Sequence, residues 1–218
     1  MKQSFRLPLL LAVAGFNLLP LSGRADDGPN LATPGFSAGT DNYYLFVAGD
    51  SKSANARFTL SKDAAHSETQ GALLQADDFA RCSIGLKVPI HPLAAGDRYR
   101  VGVWIKAGPG YQAMPGTAGV ALRLNTSTGF PPQSVGTIFV NLNSSISSGI
   151  APVETAPALS TTDWTHLEGV LEIPQGVDAA GLVLFMWKAK GSLYVDDFSF
   201  VKVDPTTELT TVVPATTP

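Results

Sequence analysis

Apolar and polar positions alternate with a two-residue period along most of the chain, and beyond the first 25 residues no stretch carries a helical period. Tyr99–Ala107 is the clearest case. Tyr99, Val101, Val103 and Ile105 form an apolar row, and Arg100, Gly102, Trp104 and Lys106 form the other, which predicts a strand with one face in a core. Val120–Asn125 repeats the pattern, with Val120, Leu122 and Leu124 inward and Ala121, Arg123 and Asn125 outward. Tyr43–Val47, Asn55–Leu60, Gly71–Gln75, Cys82–Val88, Thr137–Leu142 and Trp164–Ile173 read as further strands. Gly181–Trp187 is apolar on both faces, the pattern of a central strand or of one whose outer side is covered by a ligand or a loop. Ser61–Gln70, Gly108–Gly119 and Ser127–Gln133 are turns or loops, and Ser144–Thr162 reads as a surface segment. Many short strands between Gly, Pro and Asp turns predict an all-β antiparallel sandwich of the jelly-roll kind.

The stretch Gly191–Val203 reads as the last strand. Its period puts Tyr194, Asp196, Phe198 and Phe200 on one side and Val195, Asp197, Ser199 and Val201 on the other. Two adjacent acids in so apolar a strand point to opposite faces, so at least one lies near the interior. A buried carboxylate without a partner costs several kcal/mol, so it must be hydrogen-bonded or hold a cation. The plainer alternative is that Asp196 and Asp197 cap a strand edge beside a loop.

Composition sets the compartment and the partners. Lys2 and Arg6 precede an apolar run from Leu7 to Leu21 and the small residues before Ala25, the pattern of a secretory signal peptide over 1–25. The run is too short to span a membrane, which takes about 20 apolar residues. Without Lys2, Arg6 and Arg24, 12 basic residues face 18 acidic ones, a formal charge of −6. That balance speaks against nucleic acid or an anionic membrane as partner. Cys82 is the single cysteine, so no intrachain disulfide can form, and its default role is a small buried apolar side chain. Residues 26–204 suffice for one β-sandwich domain, and 205–218, rich in Thr and Pro, reads as a disordered tail or linker. Asn125-Thr126-Ser127 and Asn143-Ser144-Ser145 match the glycosylation sequon of eukaryotic secretion.

Four pieces, in order, resemble the jelly-roll carbohydrate-binding modules attached to cellulases and xylanases, a branch of the galactose-binding-like sandwiches. They are Asn30-Leu31 with Pro34-Gly35-Phe36, His66-Ser67 with Gly71-Ala72-Leu73, the run Leu93–Ala107, and Trp164 followed by Leu193–Phe200. The resemblance implies a non-catalytic domain that binds poly- or oligosaccharide. It also implies a structural calcium, held by a carboxylate after the opening Gly-Phe and by an Asp of the last strand. Here Ser37 stands at the first of these positions, leaving Asp196 or Asp197 as the ligand.

Sugar recognition needs flat apolar platforms for pyranose faces and planar polar groups at the rim. The outward rows offer Arg100, Trp104, Lys106, Arg123 and Asn125, and the resemblance makes that side the binding face. Trp187, Phe185 and Tyr111 are further candidates; Trp164 matches a structural position, and one of Tyr43 and Tyr44 points inward. Trp104 has a second reading, as the floor beneath a covering loop. Catalysis finds less support. His66, His91 and His166 show no metal-ligand spacing, and Cys82 has no evident His partner. Glu154, Glu168 and Glu172 could pair in a sandwich-fold polysaccharide-degrading enzyme, but nothing singles out a pair, and Glu168 and Glu172 alternate as solvent-side strand residues. A structural or adhesive extracellular domain without a sugar site is the remaining alternative.

Overall fold

The computed structural model describes residues 28–212 apart from 33, 34, 130, 143, 144 and 150–158. The signal expected over 1–25, the last residues of the tail, Glu154, and Asn143 and Ser144 of the second sequon lie outside them. The strands are β1 (Tyr43–Val47), β2 (Arg57–Ser61), β3 (Gly71–Leu86), β4 (Arg98–Ala107), β5 (Gln112–Ala113), β6 (Gly119–Thr128), β7 (Gln133–Asn141), β8 (Ile146–Ser148), β9 (Thr165–Glu172) and β10 (Ala179–Val203). Every pairing between them is antiparallel.

Two pairs of expected strands run through as single long ones. Gly71–Gln75 and Cys82–Val88 merge in β3, and Gly181–Trp187 and Gly191–Val203 merge in β10. The bend in β10 is made without leaving the ladder, by register shifts on both sides of Ala189 and positive φ at Lys188 and Gly191. The first half of β10 pairs with the end of β3 and with β6; its second half pairs with the start of β3 and with β4. One network thus folds into two layers, β2-β3-β10-β4-β9 and β1-β3-β10-β6-β7-β8.

The inward rows meet between the layers. Val101, Val103 and Ile105 of β4 are fully buried with Val120, Leu122 and Leu124 of β6, as the alternation predicted, and Cys82 lies in the same core. Burial pushes the Cys82 thiol up to about 12, so it stays protonated and inert. Gly181–Trp187 is the central strand its two apolar faces suggested, with neighbours on both sides.

The phase expected for the last strand fails at one point. Asp197 sits at φ 50, inside a bulge between Asp196 and Ser199. Leu193 and Val195 face the core before it, and Phe198 and Phe200 after it, so Tyr194 and Asp196 point away from the side that the two phenylalanines occupy. A bulge adds one residue and reverses the parity of everything beyond it. Asn30 clamps the segment after the bulge, its Nδ2 donating to Phe198 O (3.0 Å) and its Oδ1 accepting from Phe200 N (2.9 Å).

Asp196 is 0% exposed although it leaves the core side, because the 61–70 loop covers it. Its two oxygens accept from His66 N and Asp197 N, each at 2.9 Å. Burial raises its pKa against the pull of those donors. Gly71 lets the loop close: a Cβ there would lie 1.7 Å from Ala64 O.

Part of the expected disordered tail is built into the fold. Thr210 N donates to Val170 O (3.0 Å), Thr210 Oγ1 accepts from Val170 N (2.8 Å), and Ile146 N donates to Thr211 O (2.9 Å). The segment straps β9 of one layer to β8 of the other and satisfies two edges that low complexity alone gives no hint of.

Two outcomes follow. Asp196→Asn turns an N–H₂ group toward one of the two backbone donors and leaves it buried and unmet. Urea unfolding should show a loss of about 1–3 kcal/mol; an unchanged midpoint would show that the loop is held by other means. Ending the chain after Asp204 uncovers Ile146 and Val170 and should cost on the order of 1–3 kcal/mol, read as a lower Tm; an unchanged melt would mean that the strap adds nothing.

Candidate functional site

The pleat decides which residues point out of a strand, and the layer decides which surface they reach. Arg100, Trp104 and Lys106 belong to β4 in the first layer, whereas Arg123 and Asn125 belong to β6 in the second. The candidates expected on one face therefore lie on opposite sides of the sandwich.

On the first layer, Trp104 is already engaged. His166, its cross-strand neighbour on β9, stacks on the indole at 4.5 Å and 9°. His66, held by Asp197 of β10, stacks at 4.2 Å and 17°. His66 Nδ1 lies 2.7 Å from Asp197 Oδ2, and Ser67 Oγ donates to Asp197 Oδ1 at 2.6 Å. His166 Nδ1 lies 3.6 Å from Glu168 Oε2, and Arg100 Nε lies 3.8 Å from Glu168 Oε1. Burial holds His166 below its usual range, which favours the neutral ring in the stack. Gly102 opens the space for this, since a Cβ would lie 2.8 Å from His166 Nε2. Lys106 Nζ sits 4.9 Å over the Trp164 ring and 5.3 Å over Tyr194. Of the two readings of Trp104, the geometry is that of a floor beneath a covering loop. On β9 Glu168 is partly exposed and Glu172, beside Arg98, is exposed, as their alternation predicted.

On the second layer, one row crosses the sheet as Tyr44, Gly85, Val183, Arg123 and Phe139, and the next as Phe46, Ser83, Phe185, Ala121 and Asn141. Arg81 and Trp187 are paired beyond them, and Asn125 lies on the other side of Arg123. A Cβ on Gly85 would lie 3.0 Å from the Tyr44 ring and hydroxyl, so its absence lets that ring lie along the sheet. Tyr43 points inward and is buried, which resolves the Tyr43–Tyr44 pair. Phe185 and Trp187 rings are 5.7 Å apart; the Arg123 guanidinium lies 5.1 Å over Phe185, and that of Arg81 5.6 Å over Trp187. Arg123 Nε donates to Asn125 Oδ1. Phe46 is 50% exposed, whereas Phe185 and Phe139 are buried beneath this layer of side chains. The result is an apolar floor with aromatic and planar cationic groups above it.

Tyr111 is partly buried. It packs against the core, and its hydroxyl lies where a Cβ on Gly119 would meet it at 2.9 Å. Phe46 and Arg81 were missed in the sequence, Arg81 because β3 was divided in two; a continuous period through it puts Arg81 in phase with Ser83 and Gly85.

The donors around the acids test the calcium expectation. Asp196 holds two N–H groups, Asp197 holds the His66 ring and the Ser67 hydroxyl, and Glu68 Oε2 accepts from Ser37 N at 3.1 Å and from its hydroxyl. A hard cation needs six to eight oxygens free to face it. These carboxylates face hydrogen-bond donors, and among the described residues no three His, Cys, Asp or Glu side chains gather as a metal site. The arrangement fits hydrogen-bonded carboxylates and does not fit a calcium ion.

No protein-family model matches this chain, and no curated protein does. Solved structures share its fold. The enzymatically active domain of bacteriophage CBA120 tailspike protein 4 superposes with a TM-score of 0.56 at 13% identity, over 80% of this chain and 21% of that one, so this chain spans about a fifth of its length. Carbohydrate-binding modules also match, at lower TM-scores. A xylan-binding domain from Paenibacillus barcinonensis matches at TM-score 0.49 and 16% identity, over 83% of this chain and 98% of that one. A family 16 carbohydrate-binding module matches at 0.46 and 18%, over 79% and 99%. The chain is an all-β jelly-roll sandwich.

Proposed function

We propose that this chain is an exported, non-catalytic domain that binds poly- or oligosaccharide on the outer face of the second layer. One observation carries the reading: Tyr44, Phe46 and Trp187 are accessible there beside Arg81, Arg123 and Asn125, over a packed apolar floor. Flat rings offer stacking surfaces to pyranose faces, and planar guanidinium and amide groups offer paired donors and acceptors to hydroxyls. The ordered motifs of the sequence support the same reading.

A scaffolding role finds its best support on the other face, where the His66–Trp104–His166 stack is closed by its own loop. The two tryptophans therefore separate the readings. Trp187→Ala should weaken binding to a glycan chosen from a panel of soluble and insoluble polysaccharides by at least about tenfold, with little change in Tm. Trp104→Ala should instead lower stability by about 3 kcal/mol while binding, measured below the new Tm, persists. Calorimetric titration and thermal melting read the two effects. Loss of binding in Trp104→Ala with an unchanged melt would move the site to the first layer.

A further inference from the structure

The proposed face contains a cation that no carboxylate among the described residues neutralises. Five arginines fall among the described residues. Arg57 pairs with Asp77, Arg81 with Asp50, Arg98 with Glu172 and Arg100 with Glu168. Arg123 has no carboxylate partner among the described residues. Among the described residues its one hydrogen bond runs from Nε to Asn125 Oδ1, its guanidinium carbon lies 5.1 Å over the Phe185 ring, and Tyr44 is the ionisable group that acts on it. It is only partly exposed, so solvent does not compensate for the missing anion as it does for a surface lysine. In a chain with more acidic than basic residues, leaving this guanidinium unmatched at the centre of a sheet face is a local choice.

We propose that Arg123 receives the carboxylate of a sugar acid, and that the ligand of this face is an acidic, uronate-containing polysaccharide. The proposal rests on the reading of this face as a glycan site. Asn125 occupies Nε and fixes the guanidinium plane, which leaves the two terminal amino groups as a fork for the two oxygens of a planar carboxylate. Phe185 below excludes water from one side of that plane. Burial raises the pKa of Tyr44, so its hydroxyl keeps its proton at neutral pH and can donate to the same anion. Trp187, next along β10 on this face, supplies the stacking surface for a neighbouring sugar ring.

The test titrates the full chain with polygalacturonate, alginate and glucuronoxylan, each against the same polymer with its carboxyls reduced to alcohols, and with a sulfated neutral glucan. At least one uronate polymer should bind about tenfold or more tighter than its reduced form, with the difference shrinking as salt rises. Arg123→Gln should bring that ratio close to one. Arg123→Lys, which keeps the charge and loses the fork, should give an intermediate ratio, and a thermal melt of each variant confirms folding. Binding of neutral and reduced polymers as tight as of the acidic ones, lost in Trp187→Ala, would uphold the glycan site and overturn the carboxylate. Preference for the sulfated glucan over every uronate would overturn it in favour of a sulfate ester. A ratio unmoved by Arg123→Gln would also overturn it, and no binding to any polymer would overturn both readings.

Discussion

The hydrogen-bond ladder of β10 holds this protein together, because both layers are built on the two halves of one strand. Each half lies between two neighbours, so almost every backbone group of the strand is satisfied where the core is driest. The bend at Ala189 turns the ladder from one layer to the other without opening it, and β3 follows it in parallel register shifts. Everything placed outside the core inherits its position from that bend. Outer residues of the first half look to one side of the sandwich, and those of the second half to the other.

The two outer surfaces have been finished in different ways. The first layer carries a lid: Asp196 is capped by the main chain of the 61–70 loop, and Asp197 reaches back to hold His66 over Trp104. The bulge makes both possible, since it turns two adjacent acids toward one loop where a regular strand would have sent them to opposite sides. The second layer has no lid among the described residues; the Arg123 guanidinium lies over its buried Phe185, and the Tyr44 ring lies along the sheet at Gly85. A roof of planar, partly exposed side chains is suited to contact with a ligand; a roof of main chain is suited to stability.

The fold and most of the core were legible in the sequence because alternation of side chains is a local property. Tyr99, Val101, Val103 and Ile105 could be assigned to the interior from their spacing alone, and so could Val120, Leu122 and Leu124. The same spacing marked Arg100, Trp104, Lys106, Arg123 and Asn125 as outward. It could not say that they face away from one another, since the layer of a strand depends on its partners, and partners are chosen across the whole chain. Nor could it show that the ring of Tyr111, a residue of the glycine-rich loop, packs against the core.

What the sequence determined by itself is therefore the all-β character, the inward rows and the presence of two acids that need partners. The tertiary structure decided the rest. It joined four short segments into two long strands, because bends at Ala189 and Gly191 keep the ladder where local turn signals suggest a break. It recruited Thr210 and Thr211 from a low-complexity tail, because two sheet edges needed hydrogen-bond partners. It also gathered Tyr44, Trp187 and Arg123 from three separate strands onto one surface, since which side chains become neighbours is fixed by strand pairing and not by distance along the chain.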